Sequence, residues 1–486
     1  MWTRLSSLIS RPSPADVYRE VFSPIAAKES VSPSMEARPH LTIVCENYWP
    51  EHASTGQLIT DLAEGLTRWF DVDVITAQPR YHGRYGRFPA TQDHNGVHVR
   101  RIWATAFDKN GKAGRVANWL TFAASAALTL SRIGSQQPNG IPYDLSPSPR
   151  RERGLGGEDA LSPSPRRERG LGGGVYLFVT NPPTAPWCAL LTRLLRRRAF
   201  VLVYDLYPDL AQALHVIGER SWLARAFDVL NVASFRASSG VIALGADMQA
   251  RLRAKLGPLA RIEVIPNWAD GGLISPRPKR DSAFARRHDL VDKTVFLYAG
   301  NLGLFQDLET LIEAVERLDD ADTCRLVFVG DGGKRQVVEA AAKRSHRVLH
   351  FDYLPYAELG DLYAAADAGL IAIEPGVEMV NMPSKTYSIL AAGKPFIAVA
   401  GASRDLQALA AEGAGIVVAN DATAVAAAMA RLRAHPRIRA RMGKTARRIF
   451  EERYTRERVT GLYAAFLGAD VEPAGEEIRV TDWAVA

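Results

Sequence analysis

Cysteine is scarce in this 486-residue chain: Cys45, Cys188 and Cys324 stand far apart and in no paired spacing. That excludes a disulfide scaffold and a cysteine-based zinc site, and makes a reducing cytoplasm the simplest setting. There is no P-loop, no HExxH, no GxSxG and no clustered histidine, and no GxGxxG follows the first apolar strand. An ordinary dinucleotide site is therefore disfavoured. The 38 glycines keep no triplet period, which excludes collagen, and a 47% hydrophobic content excludes a wholly disordered chain. Long apolar runs are missing too. Pro12, Pro14, Asp16, Arg19 and Glu20 interrupt any secretory signal. The stretch VANWLTFAASAALTL (116–130) falls short of the ~20 residues of a membrane span and is rich in Ala and Ser, so a buried helix is expected.

What is present is unevenly charged. Of the net +7, the first 38 residues hold +1 and residues 145–174 hold +2, while Arg193, Arg196, Arg197 and Arg198 form a compact cluster. The remainder is near neutral, so no basic groove for nucleic acid is expected. Residues 145–157 and 161–173 are the same thirteen residues, LSPSPRRERGLGG. Each copy has two Leu, too few to stack as a solenoid, and the composition is that of a disordered surface insertion over 138–174. A role as an anion- or RNA-binding arm is the rival reading. Residues 1–38 lack a sustained period and read as a disordered extension, with Met35 close to a true start.

Elsewhere short β-branched runs alternate with amphipathic helical stretches. LTIVC (41–45), VDVITA (72–77), GVHVRRI (96–102), VYLFVT (175–180), FVLVYDL (200–206), GVIALG (240–245) and IEVIPN (262–267) make one series. TVFLYAG (294–300), CRLVFVG (324–330), VLHFDYL (348–354), AGLIAI (368–373) and PFIAVA (395–400) make another, after a proline-rich stretch. Continuous apolar strands between helices mean parallel sheets covered on both faces. Two doubly wound α/β lobes are expected, a first over 39–272 and a second over 280–450, with the site in the cleft between them at the carboxyl ends of strands.

The second lobe carries most of the chemical signal. Gly300 and Gly303, where a strand gives way to a helix, let backbone N–H groups approach an anion, and GDGGK (330–334) repeats the pattern on the next strand. Structural turns would place glycines there too. Two such turns on one sheet edge suit a nucleotide diphosphate. Tyr353 and Leu354 at another strand end supply an apolar wall for a base, and Lys385, at the start of a helical pattern after Pro383 and Ser384, favours phosphate. A solvated lysine beside a helix cap is the plain alternative. ALLTRLLRRR (189–198) interleaves Leu with Arg, which suits either a surface helix or a basic face resting on anionic lipid.

YAGNLGLFQDLETLIEA, LVFVGDGG, LGDLYAAADAGLIAI and MPSKTYSILAAGKPFIA, in that order, resemble family 4 retaining glycosyltransferases of the GT-B fold, in the flavour of bacterial O-antigen and capsule N-acetylfucosamine-type transferases. ENYWPEHASTGQL, NGVHVRRI, TNPPT, YDLYPD and VIPNWAD extend the likeness into the first lobe, and it covers about residues 39–467 except the repeat. The resemblance implies two Rossmann-like lobes facing a central cleft. It implies transfer of a sugar, hexosyl or N-acetylhexosaminyl, from a nucleotide diphosphate sugar with retention. The acceptor, a polyprenyl-diphosphate-linked glycan, would meet the first lobe near Glu46, Tyr48 and Gly56 at the inner membrane face. It further implies a closing helix over 451–467 before a tail at 468–486, a cytoplasmic, peripheral protein, no nucleic acid partner, no cofactor and no metal.

Three departures qualify it. Asn301 and Gln306 stand where many members carry Arg and Lys, leaving backbone N–H groups, Lys385 and Lys334 to neutralise the diphosphate. The family's two glutamates align on Val380 and Ser388, with Glu378 near enough to replace the first and Ser388 left to bond a ribose hydroxyl. Its His-Asp pair aligns on Tyr204 and Asp205, which makes Asp205 the better catalytic candidate, with Glu378 as the second. A nucleotide-sugar epimerase of the same architecture and a catalytically weakened binding protein are the rival functions.

Overall fold

The computed structural model describes residues 38–51, 54–79, 88–107, 111–136, 174–218, 220–319, 323–378 and 382–471. The N-terminal extension, the repeat insertion, Val380 and most of the tail lie outside the described residues.

Two sheets form, and all but one edge strand come from apolar runs with no exposed residue at their centres. The first contains β1 (His40–Val44), β2 (Asp71–Ala77), β3 (Thr91–His94), β4 (Val97–Ile102), β5 (Val175–Val179), β6 (Arg198–Val203), β7 (Gly240–Ala243) and β8 (Ile262–Val264), in the order β3-β4-β2-β1-β5-β6-β7-β8. The second contains β9 (Thr294–Ala299), β10 (Cys324–Val329), β11 (Val348–Phe351), β12 (Ala368–Ala372), β13 (Phe396–Val399) and β14 (Gly415–Val418), in the order β11-β10-β9-β12-β13-β14. Every pairing is parallel except β3 with β4. In each sheet the strand order reverses once, between β1 and β5 and between β9 and β12. Open parallel sheets part their connecting loops at such points and leave a crevice.

Two strands escape the sequence pattern. TQDH (β3) has no apolar residue, and it forms because Asn95 (φ 47°) and Gly96 (φ 80°) make a tight hairpin that folds it onto the sheet edge. GIVV (β14) is short and enters from Gly413 (φ 92°). The stretch expected as a buried helix forms Lys112–Gln136, but only one side is covered: Phe122, Ala126 and Leu130 are in the core, whereas Leu128 is 60% exposed. Burial follows from neighbours rather than from composition, and this helix has them on one side only.

The lobes share one core. Val201, Leu206 and Met248 of the first lobe belong to the same packed cluster as Leu297, Tyr387 and Leu406 of the second. Polar contacts reinforce it. The helix Ala246–Leu256 and the helix Arg404–Ala411 cap each other across the boundary. Asp405 accepts from the backbone N–H groups of Ala246 (2.8 Å) and Asp247 (3.2 Å), while buried Asp247 accepts from the Arg404 N–H (2.8 Å) and Arg404 Nε (2.7 Å). Each carboxylate thus satisfies first-turn donors that its partner helix cannot. The helix Arg456–Leu467 then returns to the first lobe, where Phe466 meets Phe200 with ring centroids 5.3 Å apart and Thr460 sits against Gly65.

Asp247→Ala removes one side of this reciprocal cap and is expected to lower stability by about 1–3 kcal/mol. Denaturant unfolding measures it, and an unchanged midpoint would mean that the caps do not join the lobes.

Candidate functional site

The site is built on the carboxyl ends of β9 and β12. Tyr298, the last large residue of β9, is fully buried and points at the turn that follows. Its hydroxyl lies 2.8 Å from Gln306 Oε1 and 2.9 Å from the Asn301 carbonyl oxygen, the two acceptors for its single proton. Gln306, at one of the positions where a charged family residue is missing, therefore fixes the ring. Over that ring lies Lys385, its Nζ 3.2 Å from the ring centroid. A Cβ on Gly300 (φ 127°) would stand 3.7 Å from Lys385 Cε, so the β9 turn and the lysine stem are neighbours.

Lys385 has no ion pair among the described residues. Part of the residue reaches the surface, but the packing around its ammonium pushes its pKa well below the ordinary lysine range by desolvation. The helix it begins, Lys385–Ala391, is anchored from both sides: the Tyr387 hydroxyl meets the backbone of Asn267 in the first lobe, and Ser388 bonds the Tyr363 hydroxyl. Pro383 is buried beside it and Ser384 half-buried.

Two expectations are corrected here. Lys334 is not a free cation for a diphosphate. Its Nζ donates to Glu374 (2.6 Å), Glu309 (2.7 Å) and the Gln306 carbonyl (2.8 Å), and although burial opposes the charge, the two carboxylates hold its pKa above the usual lysine value. Among the described residues, Asp307, Glu309 and Glu374 are the carboxylates close enough to share a cation, and the Lys334 ammonium already pairs with two of them, while Asp307 caps Thr310 and accepts from Asn420. The second glycine turn is likewise not an open cradle. A Cβ on Gly330 would collide with the Gly300 carbonyl, and one on Gly332 would come within 2.6 Å of the Leu302 backbone. These glycines let two loops touch. Of the remaining second-lobe candidates, Asn301 and Tyr353 are exposed, Gly303 is buried, and Leu354 is partly buried against the core. Glu378 is buried, and its Oε2 accepts from the Gly376 N–H at 2.7 Å, closing its own loop.

In the first lobe the crevice between β1 and β5 is drawn shut by the Glu46 N–H, which donates to the Asn181 carbonyl at 2.6 Å. Glu46 is half-buried beside it, Gly56 lies in the first turns of the helix Ser54–Leu66, and Tyr48 is a core residue. Asp205, just past β6, keeps some exposed surface, yet burial alone pushes its carboxyl up to about 6. Thr180, at the end of β5, orients that turn by accepting from the N–H groups of Tyr204 (2.9 Å) and Asp205 (3.3 Å). Sequence reading missed Thr180, Tyr298 and Glu374. All three lie at strand ends, a position that the apolar runs did mark. The four arginines divide: Arg193 and Arg196 are exposed, while Arg197 and Arg198 are partly buried, Arg198 over the Phe200 ring at 5.5 Å.

Two family models match, one described as glycosyl transferase 4-like domain over residues 55–268 and one as glycosyl transferases group 1 over residues 293–435. Between them they take in both lobes. The chain belongs to the family 4-type glycosyltransferases, with the GT-B fold. A Pseudomonas aeruginosa protein named as a probable glycosyltransferase, WbjE, is 29% identical over 223 residues, 44% of this chain and 56% of that protein. An Escherichia coli K12 protein named for colanic acid biosynthesis, the glycosyl transferase WcaI, is 28% identical over 257 residues, 51% of this chain and 62% of that protein. The matches thus span little more than half the length of these relatives. Among solved structures, Anabaena HepE in complex with UDP superposes with a TM-score of 0.60 at 14% identity, over 88% of this chain and 99% of that one.

In this family 4-type chain, removing the desolvated charge relieves the free protein. Lys385→Met is expected to raise the Tm of the ligand-free protein by about 2 °C or more near neutral pH. The sign follows from a pKa lowered in the folded state: the charged lysine costs stability below its folded pKa, and that cost fades as pH rises towards the unfolded value. A lower Tm in thermal unfolding would contradict the placement.

Asp205→Asn tests the other lobe. With a folded pKa of about 6 against the ordinary 3.8, the cost of ionising Asp205 is fully present above pH 6 and vanishes below the ordinary value. The variant should be more stable by about 1–2 kcal/mol at pH 7.5, discounted for partial exposure, and the gain should fade towards pH 4. A gain independent of pH would assign it to something other than that carboxyl.

Proposed function

We propose that this protein transfers a sugar from a nucleotide diphosphate sugar to a glycan acceptor in bacterial surface polysaccharide synthesis. The observation that carries the reading is Lys385: an ammonium fixed over an aromatic ring at the crevice of the second sheet, with no carboxylate paired to it among the described residues. A diphosphate supplies the missing anion. The leaving group gains negative charge as the sugar–phosphate bond breaks, so a cation and N–H donors aimed there act most strongly in the transition state. Lys385 takes this role with the N–H groups of Asn301 and Gly303, since those of Gly300 and Leu302 already donate to the Val329 and Asp331 carbonyls. That HepE has been seen with UDP supports a nucleotide donor in a lobe of this shape.

Asp205 takes the acceptor side, where its carboxyl orients the attacking hydroxyl by a hydrogen bond and leaves that hydroxyl's proton to the departing phosphate. Glu378 holds the loop over the sugar. Retention is the expected stereochemistry, with attack from the leaving side and the departing phosphate taking the acceptor's proton. A polyprenyl-diphosphate-linked acceptor would place the protein peripherally at the inner membrane face. No helix among the described residues is long and apolar enough to cross a membrane.

A thermal-shift screen of nucleoside diphosphates tests the reading. One base should raise Tm clearly, since a ligand at ~100 times its Kd adds about 2.7 kcal/mol, and Lys385→Met should abolish the response. No response to any nucleoside diphosphate would overturn it. With donor alone, formation of an epimerised sugar would favour the epimerase.

A further inference from the structure

Three helices of the first lobe lie side by side: Lys112–Gln136, Cys188–Leu194 and Trp222–Ala237, the short one touching both others. Large apolar side chains stand exposed on their outward sides. Trp222 is 74% exposed, Leu223 58%, Val229 67% and Leu194 79%, and Leu120 and Leu128 continue the surface along the long helix. The three helices contain a single acidic residue, Asp228, and Lys255 neutralises it at 2.6 Å. Around the apolar side stand exposed Arg193, Arg196 and Arg225. The face also reaches the site. Trp119 of the long helix packs on Tyr207 with ring centroids 5.6 Å apart, two residues beyond Asp205.

We propose that this face docks on an anionic lipid bilayer, with Trp222, Leu223 and their apolar neighbours in the acyl boundary and the arginines among the phosphate headgroups. An apolar strip fringed by cations and cleared of anions complements such a surface, and a protein partner with an apolar patch would not require the clearance. The docking element is thus broader than the arginine run, and two of the four arginines in that run turn inward. The proposal rests on the lipid-linked acceptor for its purpose: docking here sets Asp205 beside the surface from which that acceptor would rise.

Flotation of the full-length chain with vesicles tests it. The protein should float with phosphatidylethanolamine vesicles containing phosphatidylglycerol and not with phosphatidylcholine alone. Trp222→Ser combined with Leu223→Ser, both surface positions, should cut the bound fraction by about tenfold while leaving Tm and the nucleoside diphosphate response intact. Failure of the unaltered protein to float, or full binding by the double variant, would overturn the proposal. So would a concentration-dependent dimer that the same substitutions dissolve. Absent flotation with an intact nucleotide response sinks the docking face alone, whereas flotation without that response sinks the transferase reading alone.

Discussion

A lysine held over an aromatic ring, with no anion paired to it among the described residues, is the constraint on which the second-lobe site depends. A cation–π contact returns about 1–2 kcal/mol, whereas removing an ammonium from water costs several. Lys385 is therefore under-compensated in the free protein, and its deficit is fixed in place: Gln306 and the Asn301 carbonyl hold the Tyr298 ring, and the Lys385 helix is tied through Tyr387 to the first lobe. Lys334, one loop away, shows the contrast. Two carboxylates and a carbonyl satisfy it, and it serves as an internal tie. Of these two lysines at the same sheet edge, Lys334 is paired with carboxylates and Lys385 has no ion pair among the described residues.

The two lobes are held together by contacts that cross their boundary. Both sheets reverse strand order once, and both reversals end in a loop that carries site residues: Glu46 in the first lobe, Gly300 in the second. The reciprocal caps of Asp247 and Asp405, the shared core and the returning helix Arg456–Leu467 set the distance between them. Asp205 in the first lobe and Lys385 in the second are each desolvated, the acid with its pKa raised to about 6 and the lysine with its pKa lowered. Groups shifted in this way are more frequent at functional sites than elsewhere.

Most of the architecture was legible because parallel strands covered on both faces write themselves as continuous apolar runs. β3 was not, since TQDH carries no apolar residue and exists by virtue of the Asn95–Gly96 turn. Lys385 was legible as a candidate, but Lys334 read the same way, and only the positions of Glu309 and Glu374 separate them. The caps joining Asp247 to Arg404 link residues 157 apart and leave no local trace. The apolar face was hidden for a related reason. Periodicity tells which residues share a helix side, not whether anything covers that side, so residues 116–130 read as a buried helix although Val116, Leu120 and Leu128 are exposed.

The most direct measurement is calorimetric titration of the preferred nucleoside diphosphate at mildly alkaline pH in two buffers that differ in ionisation enthalpy. If the diphosphate restores the proton that burial has loosened on Lys385, binding takes up protons, and the uptake disappears in Lys385→Met along with most of the affinity. Equally tight binding by that variant, with no proton uptake by either protein, would contradict the account at its centre.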